Sequence, residues 1–167
     1  AEIGALWRRA REAGLRAAWL MSRLHAFDLS RLGFNADCLP VLDVPVEGAH
    51  DVIGNRAYGR EPAMVAALGR AAAEGLLAGG VLPVVKHIPG HGRAGADSHL
   101  ALPRVDAPLE ELRRHDFVPF KALSDMPMAM SAHVVYAAID SAAPATTSRR
   151  VIGEIVRGEI GFDGLLM

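Results

Sequence analysis

Apolar residues recur at steps of three and four positions along the first 27 residues, with charged residues between them. This spacing predicts one amphipathic helix, because residues three and four apart lie on the same helical face. Gly33 is expected to end that helix. The run 34–44 that follows is mostly apolar and predicts a buried strand, with Asp43 near its end. The apolar positions of the helix are Leu6, Ala10, Ala13, Ala17, Leu20, Leu24 and Phe27.

The alternation of helix and strand continues to the end of the chain. Pro62 predicts the start of a second helix and Gly79–Gly80 its end, since proline suits the first helical turn and glycine follows the last. Apolar runs at 81–85, 128–135 and 164–167 predict further strands. The remaining helix signals are Asp106 as the N-cap of a third helix, Pro119 as its interruption or restart, Ser148 as the N-cap of a fourth and Gly161 as its end.

Strands that are apolar on both faces and alternate with helices predict a parallel sheet covered by helices. Two α/β architectures fit this pattern, an open doubly wound sheet and a piece of a (β/α)8 (TIM) barrel. Polar residues follow three successive strands, at Asp43, Lys86–His87, and Ser131 with His133, which favours a barrel mouth. No glycine-rich nucleotide-binding motif follows the first strand, which argues against nucleotide binding. Since a closed barrel needs about 250 residues, we expect residues 1–167 to form a single domain that is an incomplete barrel.

Composition narrows the class of protein. The chain has 167 residues, 51% of them hydrophobic, and a formal net charge of −1. This charge argues against nucleic-acid binding and against a polybasic membrane protein. The single cysteine, Cys38, lies in an apolar run and is expected to be buried, and no disulfide can form. No secretory signal and no long apolar span occurs, so we expect a soluble intracellular protein, although the first residue is not Met and an upstream segment could be missing.

The segment 85–103 carries the candidate chemistry. It follows an apolar strand and contains three glycines and the triplet Asp97–Ser98–His99. In a turn, Asp97 can reach an imidazole nitrogen of His99, and a His so paired can exchange protons near neutral pH. An Asx-type turn with no catalytic role explains the same triplet equally well.

Lys86 and His87 continue the apolar strand, so neither is an ordinary surface residue. Burying a lysine without a partner is costly, which leaves two interpretations: contact with a polar ligand, which we favour, or a structural ion pair with Asp43. His91, between two glycines, is expected to pack within the loop, and Arg56 taken alone is a solvated arginine.

Two other chemistries are open but weaker. Zinc binding has possible ligands in four side chains, but their spacing matches no helical His pair. A serine nucleophile is weaker still, because no G-x-S-x-G elbow occurs. The possible zinc ligands are His87, His91, Asp97 and His99, and the serines considered are Ser98 and Ser131.

Residues 86–103 read K-H-I-P-G-H-G-R-A-G-A-D-S-H-L-A-L-P. This run resembles the signature of the family 3 glycoside hydrolases, specifically the bacterial β-N-acetylglucosaminidases of peptidoglycan recycling. Segments 35–44, 53–59, 130–136 and 158–167 also resemble that family's segments, in the same order. The resemblance covers nearly the whole chain and rests on several ordered motifs.

The resemblance implies a (β/α)8 barrel that removes terminal N-acetyl-β-D-glucosamine from muropeptides with net retention. It implies His99 as general acid/base with Asp97 as its partner, and Arg56, Lys86 and His87 as sugar-binding residues. The expected partner is a small carbohydrate, an anhydro-muropeptide carrying N-acetylglucosamine. No cofactor, metal, nucleic acid, membrane or obligate protein partner is expected, and the expected location is the cytoplasm.

The chain departs from the family at its ends. In the family the run matching G-F-D-G-L-L-M is followed by Ser-Asp-Asp, whose first Asp is the nucleophile, and this chain stops at Met167. What is present resembles barrel strands three to six. We therefore expect residues 1–167 alone to show no turnover. The alternatives are a catalytically inactive sugar-binding or regulatory half-barrel and, more distantly, a zinc-dependent hydrolase.

Overall fold

A computed structural model describes residues 1–49, 51–95 and 102–167 of the chain. Helical regions and strand regions alternate along it, as the sequence predicts, although two helices or two strands follow each other at several points. The helices are α1 (Glu2–Arg9), α2 (Arg11–Arg31), α3 (Pro62–Ala78), α4 (Leu109–Arg114), α5 (Val118–Ala122) and α6 (Val151–Glu159, π-type), with a 3₁₀ turn at Gly54–Arg56. The strands are β1 (Ala36–Asp37), β2 (Leu82–Ile88), β3 (Arg104–Val105), β4 (Met128–Ser131), β5 (Val135–Tyr136) and β6 (Leu165–Leu166).

Four strands form one parallel sheet in the order β1-β2-β4-β6. Val85 of β2 lies opposite Ala129 of β4, and Ala129 in turn lies opposite Leu166 of β6. The spatial order follows the chain order, so the described sheet has no switch point of the kind that a doubly wound fold requires. The carboxyl ends of the strands consequently meet at one edge. Strands β3 and β5 pair separately as a small parallel sheet.

The main core lies between the sheet and the helices that follow β2 and β4. Its largest members are fully buried aromatic side chains from three parts of the chain, Phe117, Phe120, Tyr136 and Phe162. Val85 of β2 and Ala129 of β4 belong to the same cluster. The sheet is thereby held against a rigid layer, which fixes the positions of its strand ends.

Several helix signals are confirmed. Pro62 begins α3, and α3 ends at Ala78 just before Gly79–Gly80. Pro119 restarts the helix in the first turn of α5. The Ser148 hydroxyl accepts a hydrogen bond from the Val151 N–H at 3.1 Å, and residues 149–150 are already helical. Ser148 is therefore the predicted N-cap of the helical segment that continues into α6.

The first predicted helix is in fact two helices. Ala10 has an extended backbone (φ −153°, ψ 98°), and this break separates α1 from α2. The two helices then pack on each other, where a Cβ at Gly14 would lie 2.5 Å from the Trp7 Cα. The apolar face that the sequence predicts is also not the buried one: Leu20, Leu24 and Phe27 are exposed. The second helix instead buries a face of small residues, Gly14, Ala18, Ser22 and Ala26.

The predicted strand 34–44 was wrong in extent. Only Ala36–Asp37 pairs as a strand, and the chain returns to the sheet at the isolated Val41–Lys86 bridge. Pro40 lies between these two points and has no N–H to donate to a neighbouring strand. Cys38, in the same stretch, is exposed, which corrects the expectation that it is buried.

Two further expectations need correction. Asp106 does not cap a helix: its carboxylate pairs with Arg104 at 2.8 Å, and α4 begins after Pro108. The predicted strand 128–135 ends at Ser131 as β4, and the chain pairs again only at Val135–Tyr136.

Among the described residues, none of the helices combines the length and apolar character needed to cross a bilayer.

Candidate functional site

The carboxyl ends of β2 and β4 enclose a cavity of about 190 Å³ together with the 3₁₀ turn after β1. It combines apolar walls with several side chains that can donate or accept hydrogen bonds. The sequence places polar groups at these strand ends, and the structure brings those of β2 and β4 together. The lining residues are Val52, Ile53, Arg56, His87, His91, Met130, Ser131 and His133.

A buried carboxylate lies behind the cavity. Asp43 is fully buried, and its Oδ2 lies 2.6 Å from Nδ1 of His87. Its Oδ1 accepts two backbone hydrogen bonds, from the N–H of His87 at 3.2 Å and of His91 at 2.7 Å. Burial alone would raise the pKa of Asp43, but these hydrogen bonds and the nearby His87 lower it below the ordinary 3.8. Asp43 is therefore an ionised acceptor at neutral pH.

Sequence reasoning named Asp43 only as the polar end of a strand and as a possible partner of Lys86. That ion pair is not formed, since the carboxylate contacts His87 and His91 instead. The sequence signal that could have revealed the contacts of Asp43 is its position near the end of an apolar run. A carboxylate buried there needs a partner, because an unpaired buried charge is costly. The identity of its partner depends on how β2 lies beside residues 41–43, which no local pattern reports.

Lys86 is half-buried on β2 and is held by its backbone to the preceding segment. Its C=O accepts from the Leu42 N–H at 2.7 Å, and its N–H donates to the Pro40 C=O at 3.1 Å. Within residues 1–49, 51–95 and 102–167 its ammonium makes no ion pair and no side-chain hydrogen bond. A half-buried ammonium in this state can bind a polar ligand at the strand end.

His91 lies beside His87, with the two ring centroids 5.6 Å apart. Its ring is buried, and burial lowers the pKa of the His91 imidazole. The ring Nδ1 has no hydrogen-bond partner in the part of the chain that the structure describes. His91 thus forms a neutral wall of the cavity.

Arg56 is fixed at the cavity by its own turn. Its guanidinium donates to the C=O of Val52 at 2.7 Å and of Ile53 at 3.4 Å. These two bonds leave further N–H groups for a ligand, because a guanidinium carries five donors. Arg56 is exposed, as the sequence alone indicates, and the 3₁₀ turn also places it at the cavity.

The opposite wall comes from the end of β4. The Ser131 hydroxyl lies 3.1 Å from both the Thr146 hydroxyl and the Met167 C=O. His133 follows two positions later and is exposed at the cavity. The sequence named both residues as polar strand ends, considered Ser131 as a weak candidate nucleophile and assigned His133 no role.

The glycine-rich loop after β2 is anchored at its base. Arg93 donates from Nε to Asp116 at 2.6 Å and pairs with Glu111 at 2.7 Å. Burial raises the pKa of Asp116 in spite of this contact. Burial opposes the charge on Arg93 too, but its hydrogen bond to Asp116 raises the Arg93 pKa. The loop continues from this anchor towards residues 96–101.

Asp97 and His99, the candidate acid/base pair, lie outside the described residues, so their predicted roles stay predictions. The same holds for two of the four possible zinc ligands. In the described ranges, no group of three or more His, Cys, Asp or Glu side chains is arranged to hold a metal ion.

Curated relatives match the chain over nearly its whole length. A beta-hexosaminidase of Chromobacterium violaceum is 41% identical over 166 residues, which are 98% of this chain and 46% of that protein. A beta-hexosaminidase of Bordetella parapertussis is 41% identical over 167 residues. The chain thus spans about half the length of the curated relatives it matches.

A solved structure gives the same result for the fold. NagZ from Neisseria gonorrhoeae, in complex with N-trifluoroacetyl-D-glucosamine, superposes with a TM-score of 0.92 at 40% identity. The match covers 98% of this chain and 49% of that one. The incomplete (β/α)8 barrel that the sequence predicts is confirmed as the fold class. The model of the family described as "Glycosyl hydrolase family 3 N terminal domain" matches residues 8–167, and the chain belongs to that family.

Proposed function

We propose that the intact protein is a β-N-acetylglucosaminidase that removes terminal N-acetyl-β-D-glucosamine from peptidoglycan muropeptides with net retention. The observation that carries this proposal is the cavity at the ends of β2 and β4, in a chain 40% identical to a protein whose structure holds an N-acylated glucosamine. The relatives named beta-hexosaminidase support the same activity.

The size and polarity of the cavity suit a single sugar ring. Its volume of about 190 Å³ lies below the roughly 300–1,000 Å³ of sites for drug-sized ligands. Arg56 and His87 line the cavity and offer guanidinium donors and a ring nitrogen, whereas Lys86, the residue before His87, does not line it. We propose that these three residues bind the hydroxyl groups of the N-acetylglucosamine unit, with the rest of the muropeptide outside the cavity.

His99 is proposed as the general acid/base and Asp97 as its partner. An imidazole titrates near neutral pH, so it can protonate the leaving oxygen and then deprotonate the attacking water. A neighbouring carboxylate stabilises the imidazolium formed in between. The carboxylate nucleophile of a retaining mechanism is proposed to be the aspartate that the family carries just after the run matching 161–167.

The test is a His99→Ala variant of the intact protein. With an N-acetylglucosaminide whose leaving group is a poor one, we expect kcat to fall by about 10²–10⁴, the usual contribution of general acid catalysis. With a good leaving group such as 4-nitrophenolate, the first step needs little protonation, and added azide should restore turnover by attacking the glycosyl-enzyme. Equal losses for both leaving groups without azide rescue would overturn the role of His99.

We further propose anhydro-muropeptides as the natural substrates, a cytoplasmic location, and action without cofactor, nucleic acid, membrane or obligate protein partner. Hydrolysis of purified muropeptides by the intact protein in EDTA tests substrate and metal independence together. Loss of activity in EDTA that zinc restores would indicate the zinc-dependent hydrolase. Sugar binding without any hydrolysis would indicate the inactive sugar-binding protein.

A further inference from the structure

Asp43 contacts a residue that lines the cavity, and its contacts differ between its two carboxylate oxygens. This fully buried carboxylate does not touch the cavity, but it meets His87, which does. Each of its oxygens has a different kind of partner. Oδ1 faces two backbone N–H groups, and Oδ2 faces a ring nitrogen of His87.

We propose that Asp43 is a positioning residue: it holds a proton on Nδ1 of His87 and thereby selects the tautomer in which Nε2 is a hydrogen-bond acceptor for a ligand in the cavity. The part of this inference that concerns sugar binding rests on the proposed function. The part that concerns the imidazole tautomer does not.

The donor and acceptor inventory supports the tautomer. A carboxylate accepts hydrogen bonds and has none to donate, so a ring nitrogen 2.6 Å away must supply the proton. In a neutral imidazole the other nitrogen is then a bare acceptor. Nε2 lies on the side of the ring away from Nδ1, and so away from Asp43. A sugar hydroxyl in the cavity can donate to it.

The backbone contacts show why a neutral substitute would change this state. In Asp43→Asn, one oxygen of the carboxylate becomes an amide NH₂. The N–H groups of His87 and His91 are fixed donors, so the amide oxygen must take the Oδ1 position. The NH₂ then faces Nδ1 of His87 as a donor. Since an imidazole can exchange its tautomer and a backbone amide cannot, the ring proton moves to Nε2.

In the site, Nε2 of His87 would change from a hydrogen-bond acceptor to a donor. A ligand hydroxyl that donated to Nε2 must then reorient or lose the bond. A neutral hydrogen bond contributes up to about 1.5 kcal/mol, or about tenfold in affinity. Because this bond is present in both the bound substrate and the transition state, we expect KM to rise about tenfold with kcat nearly unchanged.

The experiment records long-range ¹H–¹⁵N spectra of the histidine rings in the intact protein at pH 7.5. The His87 signal is assigned by its loss in His87→Gln. We expect Nδ1 to be protonated and Nε2 bare in the unaltered protein, and the reverse in Asp43→Asn. The matched control is Asp116→Asn, a buried aspartate that contacts Arg93 instead, which should leave the His87 signal unchanged.

Each result decides the proposal. A proton on Nε2 of His87 in the unaltered protein overturns it, even where Asp43→Asn fails to fold. An unchanged tautomer in folded Asp43→Asn overturns it as well. If the tautomers behave as expected but the intact protein hydrolyses no N-acetylglucosaminide, the proposed function fails and the positioning role stands. If the intact protein hydrolyses the substrate but His87 carries the other tautomer, the positioning role fails and the proposed function stands.

The control for the kinetic effect of Asp43→Asn is Asp125→Asn. Asp125 pairs with Arg70 away from the cavity, so this variant should leave KM and kcat unchanged.

Discussion

Nε of Arg93 lies 2.6 Å from a carboxylate oxygen of Asp116, whose side chain is only 1% exposed. The contact joins the loop after β2 to the segment between α4 and α5. Breaking a buried ion pair costs more than its formation contributes, because the remaining charge loses its partner in a medium that solvates it poorly. The pair therefore fixes the base of the loop whose continuation carries the candidate acid/base residues.

Replacing Asp116 with alanine should destabilise the intact protein by about 3 kcal/mol, the lower end of the range for a broken buried pair. The lower end applies because Arg93 keeps its contact with Glu111. Urea unfolding measures this value. Asp125→Ala is the matched control, since Asp125 also lies 2.6 Å from an arginine but its side chain is 64% exposed. We expect a cost of at most about 1 kcal/mol for it, and equal costs for the two variants would contradict the role of burial.

The low pKa of Asp43 predicts a specific dependence of stability on pH. Hydrogen bonds from His87 and His91 hold this pKa below 3.8 in the folded protein, against the effect of burial. The stabilisation is thus fully present above 3.8 and is lost as the pH falls through the folded-state value. The free energy of unfolding of the unaltered protein should exceed that of Asp43→Asn near pH 6, and the difference should shrink towards pH 3. A difference that grows on acidification would contradict the direction of the pKa shift.

Tyr136 connects β5 to the glycine-rich loop, because its buried hydroxyl donates to the Gly90 C=O at 2.7 Å. Tyr136→Phe removes this donor and should cost about 1–2 kcal/mol of stability, the effect of leaving a buried carbonyl without a partner. Tyr58→Phe is the control. The Tyr58 hydroxyl makes no hydrogen bond to any described residue, so this variant should be near neutral. Thermal unfolding of both variants provides the comparison, and an unaffected Tyr136→Phe would show that the bond is not formed.

Gly92 lies where two backbone segments approach each other. A Cβ at this position would be 2.2 Å from the Val44 C=O oxygen, next to Asp43. Gly92→Ala should therefore push residues 43–44 away from the loop, with a stability cost of about 1–3 kcal/mol, typical of overpacking, and a clear loss of activity. At Gly153, in α6, a Cβ would meet no described atom within 4 Å. Gly153→Ala should keep full activity, and equal behaviour of the two variants would contradict the close approach.

Much of the fold could be predicted because its signals are local. Pro62, Gly79–Gly80 and Ser148 each act on the backbone of their own turn, so each marked a helix end correctly. The parallel sheet followed from the alternation of elements, and the polar residues after three successive strands favoured a barrel over a doubly wound order. The break at Ala10 could not be predicted in this way, because apolar spacing continues across it and the break depends on how α1 packs on α2.

The candidate site shows the same limit. Its position at the strand ends could be predicted, because polar residues followed apolar runs. The partner of Asp43 could not, since residues 43 and 87 are 44 positions apart and meet only through the alignment of two segments. Lys86 and His87 are neighbours in sequence, and only the geometry shows which of them pairs with the carboxylate.

The central claim is tested most directly by the configuration of the first product. ¹H NMR follows the intact protein as it hydrolyses 4-nitrophenyl N-acetyl-β-D-glucosaminide, within the first minutes, before the free sugar mutarotates. A retaining N-acetylglucosaminidase releases β-N-acetylglucosamine first, with the α-anomer appearing only later, and this is the result we expect. Initial release of the α-anomer would contradict the retaining mechanism, and the absence of any hydrolysis would contradict the proposed function.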